Sequence, residues 1–89
     1  IEAARLCGLH MLASARAITG SLDDVGFLKL FGMVNATPDF RDHALVLEGC
    51  SKLLVEVLGE RGQHARSAVG MANLPLNFAV EVDGIFEIE

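Results

Sequence analysis

The sequence predicts an α+β domain: a mixed β-sheet with two helices on one face. Three observations carry this. Two long stretches repeat apolar residues at three- and four-residue steps, and three shorter ones run or alternate at the two-residue step of a strand. They follow one another as helix, strand, helix, strand, strand. The central strand–helix–strand portion suggests a right-handed crossover, and a Pro-bearing break reverses the chain into the last strand.

Residues 1–19, IEAARLCGLHMLASARAIT, hold helix formers throughout, with Leu6, Leu9 and Ala13 as apolar positions and Leu12 beside them. Gly20 stands where a left-handed C-terminal cap is expected. Residues 21–24, SLDD, are turn chemistry. Residues 25–36, VGFLKLFGMVNA, read as a strand, with Val25, Phe27, Phe31 and Met33 on one face and Leu28, Leu30 and Val34 on the other. A strand apolar on both faces must be covered on both. The domain's own helices cover one face, and a second subunit is the simplest cover for the other.

TPDF at 37–40 reads as a helix start, with Thr37 as cap and Pro38 in the first helical position. Phe40, Ala44, Leu47, Leu54 and Leu58 then recur at helical steps, with Cys50, Leu53 and Val57 widening the stripe. Glu48, Lys52 and Glu56 fall at i, i+4 spacing on the wet side. Gly59 and Gly62 stop the helix, and 65–72 is the next strand. In the last strand Phe78, Val80, Val82, Phe86 and Ile88 share one register, while Glu81, Asp83 and Glu87 take the other. A sheet face of mixed apolar and acidic residues is awkward in water unless the domain oligomerises.

The 89 residues suffice for one domain, 1–89, with no linker or repeat to divide it. Apolar residues reach 52% against 21% charged, a globular balance. No apolar run approaches the roughly 18–20 residues of a membrane span. Cys7 and Cys50 both sit among helical apolar positions and read as reduced, buried thiols of a cytoplasmic protein. Seven Lys and Arg against twelve acids, a net charge of −5, argue against a large nucleic-acid surface. The first residue is Ile and the opening reads as if already inside a helix, so a preceding portion of the natural chain is expected.

Among groups that carry chemistry, Arg66 stands out at the mouth of the small-residue run ARSAVGMA. A guanidinium meets a carboxylate with two parallel donors, which lysine cannot do. The structural alternative is an ion pair with Glu81 or Asp83 across a hairpin. Arg61, His64 and Arg66 form a small basic cluster, but the first two follow a helix C-terminus, where cations are at home. Cys7 and His10 lie three apart without further clustered metal ligands. Ser67 has no elbow motif and no evident His–acid pair.

The segment HARSAVGMANLPLNFAVEVDGIFEI resembles the C-terminal signature of the Rid (YjgF) family, also known as endoribonuclease L-PSP. The matching features are Ala-Arg-Ser at a strand start, a small-residue strand, a Leu-Pro turn, and a hydrophobic-Glu-hydrophobic strand with an Ile-aliphatic ending. The preceding LDDVGFLKLFGMVNATPDF and GCSKLLVEVLGERG are similar in order and spacing to that family's central strand and second helix. The resemblance implies a chorismate-mutase-like (YjgF/L-PSP-like) fold and a homotrimer with ligand clefts between subunits. The fold would be N-terminally truncated here, because the family's first hairpin lies before residue 1. It also implies hydrolysis of reactive enamines and imines such as 2-aminoacrylate to a 2-keto acid and ammonia, with no metal and no cofactor.

In that comparison Arg66 matches the arginine that holds the ligand carboxylate, and Ser67 beside it in the motif is expected to bind the substrate with it. Glu81 matches the acidic residue near the reacting centre. Two positions depart from the family: Ala68 replaces a frequent cysteine, and Leu47, Glu48 and Gly49 occupy the neighbourhood of a helix asparagine. The alternative expectation is a trimer that senses a small carboxylate without turnover. A ribonuclease is disfavoured by the acidic balance.

Overall fold

Strand β1 (Val25–Asn35) is the middle strand of the sheet, paired in parallel with β2 (Ala65–Met71) and antiparallel with β3 (Val80–Ile88). The structure is a computed structural model that describes residues 1–88. Helix α1 (Glu2–Thr19) precedes β1, and helix α2 (His43–Leu58) with a 3₁₀ turn (Gly59–Gly62) links β1 to β2. Both helices lie on one face of the sheet, the α+β arrangement expected. The core between the layers gathers Leu12, Phe27, Leu30, Leu47, Cys50, Leu53 and Leu54.

Helix α1 ends as its sequence requires. Gly20 adopts φ 82° and donates its N–H to the Arg16 carbonyl at 2.7 Å. The face it buries differs from the expected one: Ala4, Gly8, Leu12 and Ala15 are inside, whereas Leu6 and Leu9 are exposed. Small residues let α1 approach α2 closely, and a Cβ on Gly8 would lie 3.0 Å from a Leu53 methyl. The larger leucines were the stronger hydrophobic signal, but close packing selected the smaller stripe.

The strand faces also need correction. Val25 and Phe27 point to the helices, but after an irregularity between Phe27 and Lys29 the inward residues become Leu30, Gly32 and Val34. Leu28 is the additional residue of a β-bulge and is half exposed. Phe31 and Met33 therefore share the outer face with Lys29 instead of joining Phe27. The bulge leaves Phe27 against Phe86, with ring centroids 4.8 Å apart and the rings edge to face.

The TPDF segment does not start α2. Phe40 donates its N–H to the Thr37 carbonyl at 3.2 Å, closing a turn with Pro38 at its second position, and the helix begins at His43. Proline's fixed φ serves a turn as well as a first helical turn, which is why the residue type alone misplaced the start. Gly59, with φ 66°, receives the chain at the C-terminal end of α2. Leu74 anchors the break before β3 in the interior, and Leu76 and Asn77 take left-handed backbone angles there.

Candidate functional site

Alternation along the strands decides where each predicted site residue points. Arg66 is in register with buried Leu30, so it faces the helices. Its Nη1 donates to Glu48 Oε1 at 2.8 Å and to Ser51 Oγ at 3.1 Å, both on α2. These residues, with Val55, Gln63 and His64, line an open groove of about 470 Å³ between α2 and the outer edge of β2. The arginine is thus held at the rim of a groove, next to a carboxylate of its own chain.

Ser67 and Glu81 are elsewhere. Ser67, in register with Phe31, lies on the opposite face of the sheet, where its Oγ accepts a hydrogen bond from Lys29 Nζ at 3.3 Å. Glu81, opposite Met33 on β3, shares that outer face. Arg66 and Glu81 are therefore on opposite faces and opposite edge strands, with β1 between them. The anticipated Arg66 ion pair with Glu81 or Asp83 does not form, because β2 and β3 are not neighbours and Glu48 is the partner instead. Of the basic cluster only His64 and Arg66 meet in the groove, whereas Arg61 Nη2 sits 3.6 Å from Glu87 Oε1.

Sequence reasoning grouped His64 with Arg66 but missed Glu48 and Ser51, which meet them in the groove. Ser51 Oγ is 3.0 Å from His64 Nε2, and His64 Nδ1 is 2.6 Å from the Gly62 carbonyl oxygen. The His64 ring stands edge-on to Phe27 at 5.0 Å. Glu48 and Ser51 are one helical turn apart on α2 and meet Arg66 only after the crossover brings β2 beneath the helix. The signal available in sequence was their i, i+3 spacing, which by itself named no partner.

A second crevice, of about 620 Å³, opens at the C-terminal ends of β1 and β2 beside Asn35, Phe40, Arg41, His43 and Met71. Arg41 Nη1 turns back onto the carbonyls of Pro38 and Phe40 at 3.2 and 3.4 Å. Cys7 and Cys50 are free thiols, Cys50 fully buried and Cys7 half-buried. Among the described residues no group of three or more His, Cys, Asp and Glu side chains is placed to hold a metal ion. No helix among them is long and apolar enough to cross a membrane.

A mixed sheet carrying two helices on one face and an arginine-bearing groove at one edge defines the class of protein. Comparisons with known proteins place it more closely. No family model matches the sequence. The chain is 44% identical over 88 residues to Protein TCP17 of Trypanosoma cruzi, a match covering 97% of this chain and 55% of TCP17. Among solved structures, a protein of unknown function from Agrobacterium tumefaciens superposes with a TM-score of 0.92 at 46% identity, over 97% of this chain and 56% of that one. A candidate endoribonuclease from Shewanella oneidensis MR-1 superposes with a TM-score of 0.88 at 30% identity, over 97% of this chain and 57% of that one. The chain spans little more than half the length of the relatives it matches. The fold is that of these neighbours, the chorismate-mutase-like α+β arrangement.

Proposed function

We propose that the chain belongs to the Rid (YjgF) family, and that the full protein is a cytoplasmic enamine and imine deaminase. Its substrates are reactive species such as 2-aminoacrylate, hydrolysed to a 2-keto acid and ammonia in clefts shared between subunits of a homotrimer. The observation that carries this reading is Arg66 at the rim of the edge groove, its guanidinium already holding a carboxylate at 2.8 Å. An imine of a 2-keto acid presents the same group. Two-point binding of that carboxylate fixes the C=N carbon for attack by water, and positioning supplies much of the acceleration for so reactive a bond.

The separation of Arg66 from Glu81 supports a site between copies. No rearrangement of side chains brings the two together within one chain, since they occupy opposite edges and faces of the sheet. A head-to-tail contact sets the β2 edge of one copy towards the β3 side of the next, and with a threefold rotation such contacts close into a trimeric ring. Glu81 of the neighbouring copy then orients the water and passes a proton to the departing ammonia. Ser67, on the far face from Arg66, enters the cleft only as part of the subunit contact. No metal or cofactor is required by these steps, and the small carboxylate is the ligand.

A second reading is favoured by one observation: the similar protein from Shewanella oneidensis is named as a candidate endoribonuclease. The net charge of −5 opposes a surface that binds RNA phosphates. A carboxylate sensor without turnover remains the third reading, because one chain holds the anchoring cation without Glu81 beside it. Incubating the full natural protein with enzymatically generated 2-aminoacrylate and following keto-acid release separates them. Acceleration that disappears in Arg66→Ala supports the deaminase. Keto-acid release no faster than buffer, or full activity in Arg66→Ala, overturns it.

A further inference from the structure

We propose that Ser51 is a nucleophile activated by His64, giving the α2–β2 groove an acyl-transfer activity towards small activated esters or thioesters. Nucleophilic sites are recognised by a hydroxyl within hydrogen-bond reach of a base that is itself oriented by a third group. All three parts are present: Ser51 Oγ lies 3.0 Å from His64 Nε2, and His64 Nδ1 lies 2.6 Å from the Gly62 carbonyl. The carbonyl only accepts, so Nδ1 of the neutral ring carries the hydrogen and Nε2 presents its lone pair. The Ser51 hydroxyl must then donate to Nε2. Arg66 Nη1 meanwhile donates to the Ser51 oxygen at 3.1 Å.

Two further features set this serine apart from an ordinary helical one. A hydroxyl within a helix commonly bonds back to the carbonyl four residues earlier, whereas the Ser51 hydrogen is committed to the imidazole. The base is also fixed in place, held edge-on to buried Phe27 and tied to Gly62. The groove is open, with Val55 as an apolar wall and Gln63 as a polar one. That lining suits a short acyl chain with a polar carbonyl end.

The steps balance without a further reactant. Ser51 Oγ forms a bond to the acyl carbon while its proton moves to His64 Nε2, and the tetrahedral oxyanion develops beside the Arg66 guanidinium. Collapse breaks the bond to the alkoxide or thiolate, which leaves with the proton from His64. Water then attacks the seryl ester, gives its proton to His64, and the carboxylic acid departs as that proton returns to Ser51.

The test uses the full natural protein with p-nitrophenyl acetate as substrate and a fluorophosphonate as covalent probe. The expected result is a phosphonyl adduct on the peptide bearing Ser51, absent in Ser51→Ala, with esterolysis about a hundredfold slower in both Ser51→Ala and His64→Gln. Circular dichroism of each variant checks that the fold is kept. A folded Ser51→Ala with undiminished esterolysis, an adduct at Ser67 or any other residue, or no adduct at all overturns the assignment. Imine hydrolysis measured on the same samples is a separate readout, so failure of one activity leaves the other to be judged on its own.

Discussion

Arg66 and Glu48 face each other across the groove between β2 and α2, Nη1 to Oε1 at 2.8 Å, with both side chains partly open to solvent. The cation available for a ligand carboxylate is therefore already occupied by an internal one. Any small organic acid that binds Arg66 must exchange with Glu48. Replacing Glu48 by Gln removes the competing charge and keeps the shape. A partly exposed pair of this kind contributes on the order of 0.2–1 kcal/mol. The expected outcome is roughly 1.4- to fivefold tighter binding of a short 2-keto acid in Glu48→Gln, measured by titration calorimetry, with binding abolished in Arg66→Ala. Weaker binding in Glu48→Gln means that Glu48 positions the arginine instead of competing for it.

Gly32 and Leu47 mark where α2 presses on the sheet. A Cβ at Gly32 would lie 2.4 Å from both Cγ and Cδ1 of Leu47, which is itself wholly buried. Leu47 has little room to retreat, because Leu30, Cys50 and Leu54 fill the same core. Gly32→Ala should cost about 1–3 kcal/mol by overpacking. That lowers the thermal midpoint by roughly 2–8 °C for each kcal/mol, the smaller shifts belonging to longer domains. A melting curve unchanged from the parent protein shows that α2 stands further from β1 than this contact requires.

The elements and their order were legible in the sequence: Gly20 capped its helix, an apolar run marked β1, the order after the second helix marked β2, and two-residue alternation marked β3. What escaped was the geometry that depends on neighbours. One extra residue at Leu28 moves Phe31 and Met33 from the Phe27 face to the opposite one. No local preference announces such a bulge, because it is set by how β3 pairs with β1. For the site, Arg66 was legible as a cation in an unusual setting, but its partner was not. Glu48 belongs to the periodic charged face of α2, and only the parallel return of β2 beneath that face makes it different from Lys52 or Glu56. The Ser51–His64 contact stayed hidden for the same reason.

Cys50 should behave as an inert thiol. Loss of solvent around it, reinforced by the neighbouring Cys7 and opposed by Arg66, pushes its pKa up from 9.0 to about 11. Between those values the unfolded chain loses the Cys50 proton while the folded chain keeps it, so the folded state is progressively penalised as pH rises through that window. Below it the thiol is protonated in both states and its contribution is constant. Two measurements check this. Urea midpoints should fall more steeply with pH in the parent protein than in Cys50→Ala across that range. At about pH 8, iodoacetamide should modify Cys50 only when urea unfolds the chain, since the thiolate is the reactive form. Rapid labelling of native Cys50 contradicts the burial described.

The outer face of the sheet makes the strongest claim about assembly. Phe31 and Met33 of β1 lie there beside Val69 of β2 and the exposed Ile85 of β3, with Lys29, Glu81 and Asp83 interspersed. Neither helix touches this side, so within one chain these apolar groups meet water, a setting monomeric proteins avoid over large areas. The charged residues among them suit a subunit contact in which they pair or reach the rim. Phe31→Glu places a carboxylate in the middle of that surface without disturbing the helix-facing core. The expected outcome in sedimentation of the full natural protein is an oligomer for the parent and a folded monomer for Phe31→Glu. Loss of imine hydrolysis in the same variant follows if Arg66 and the neighbouring copy's Glu81 act together, because the cleft is dismantled while each guanidinium stays paired with its own Glu48. A parent protein that sediments as a monomer removes the shared cleft, and a Phe31→Glu variant that assembles normally shows that the contact uses another surface.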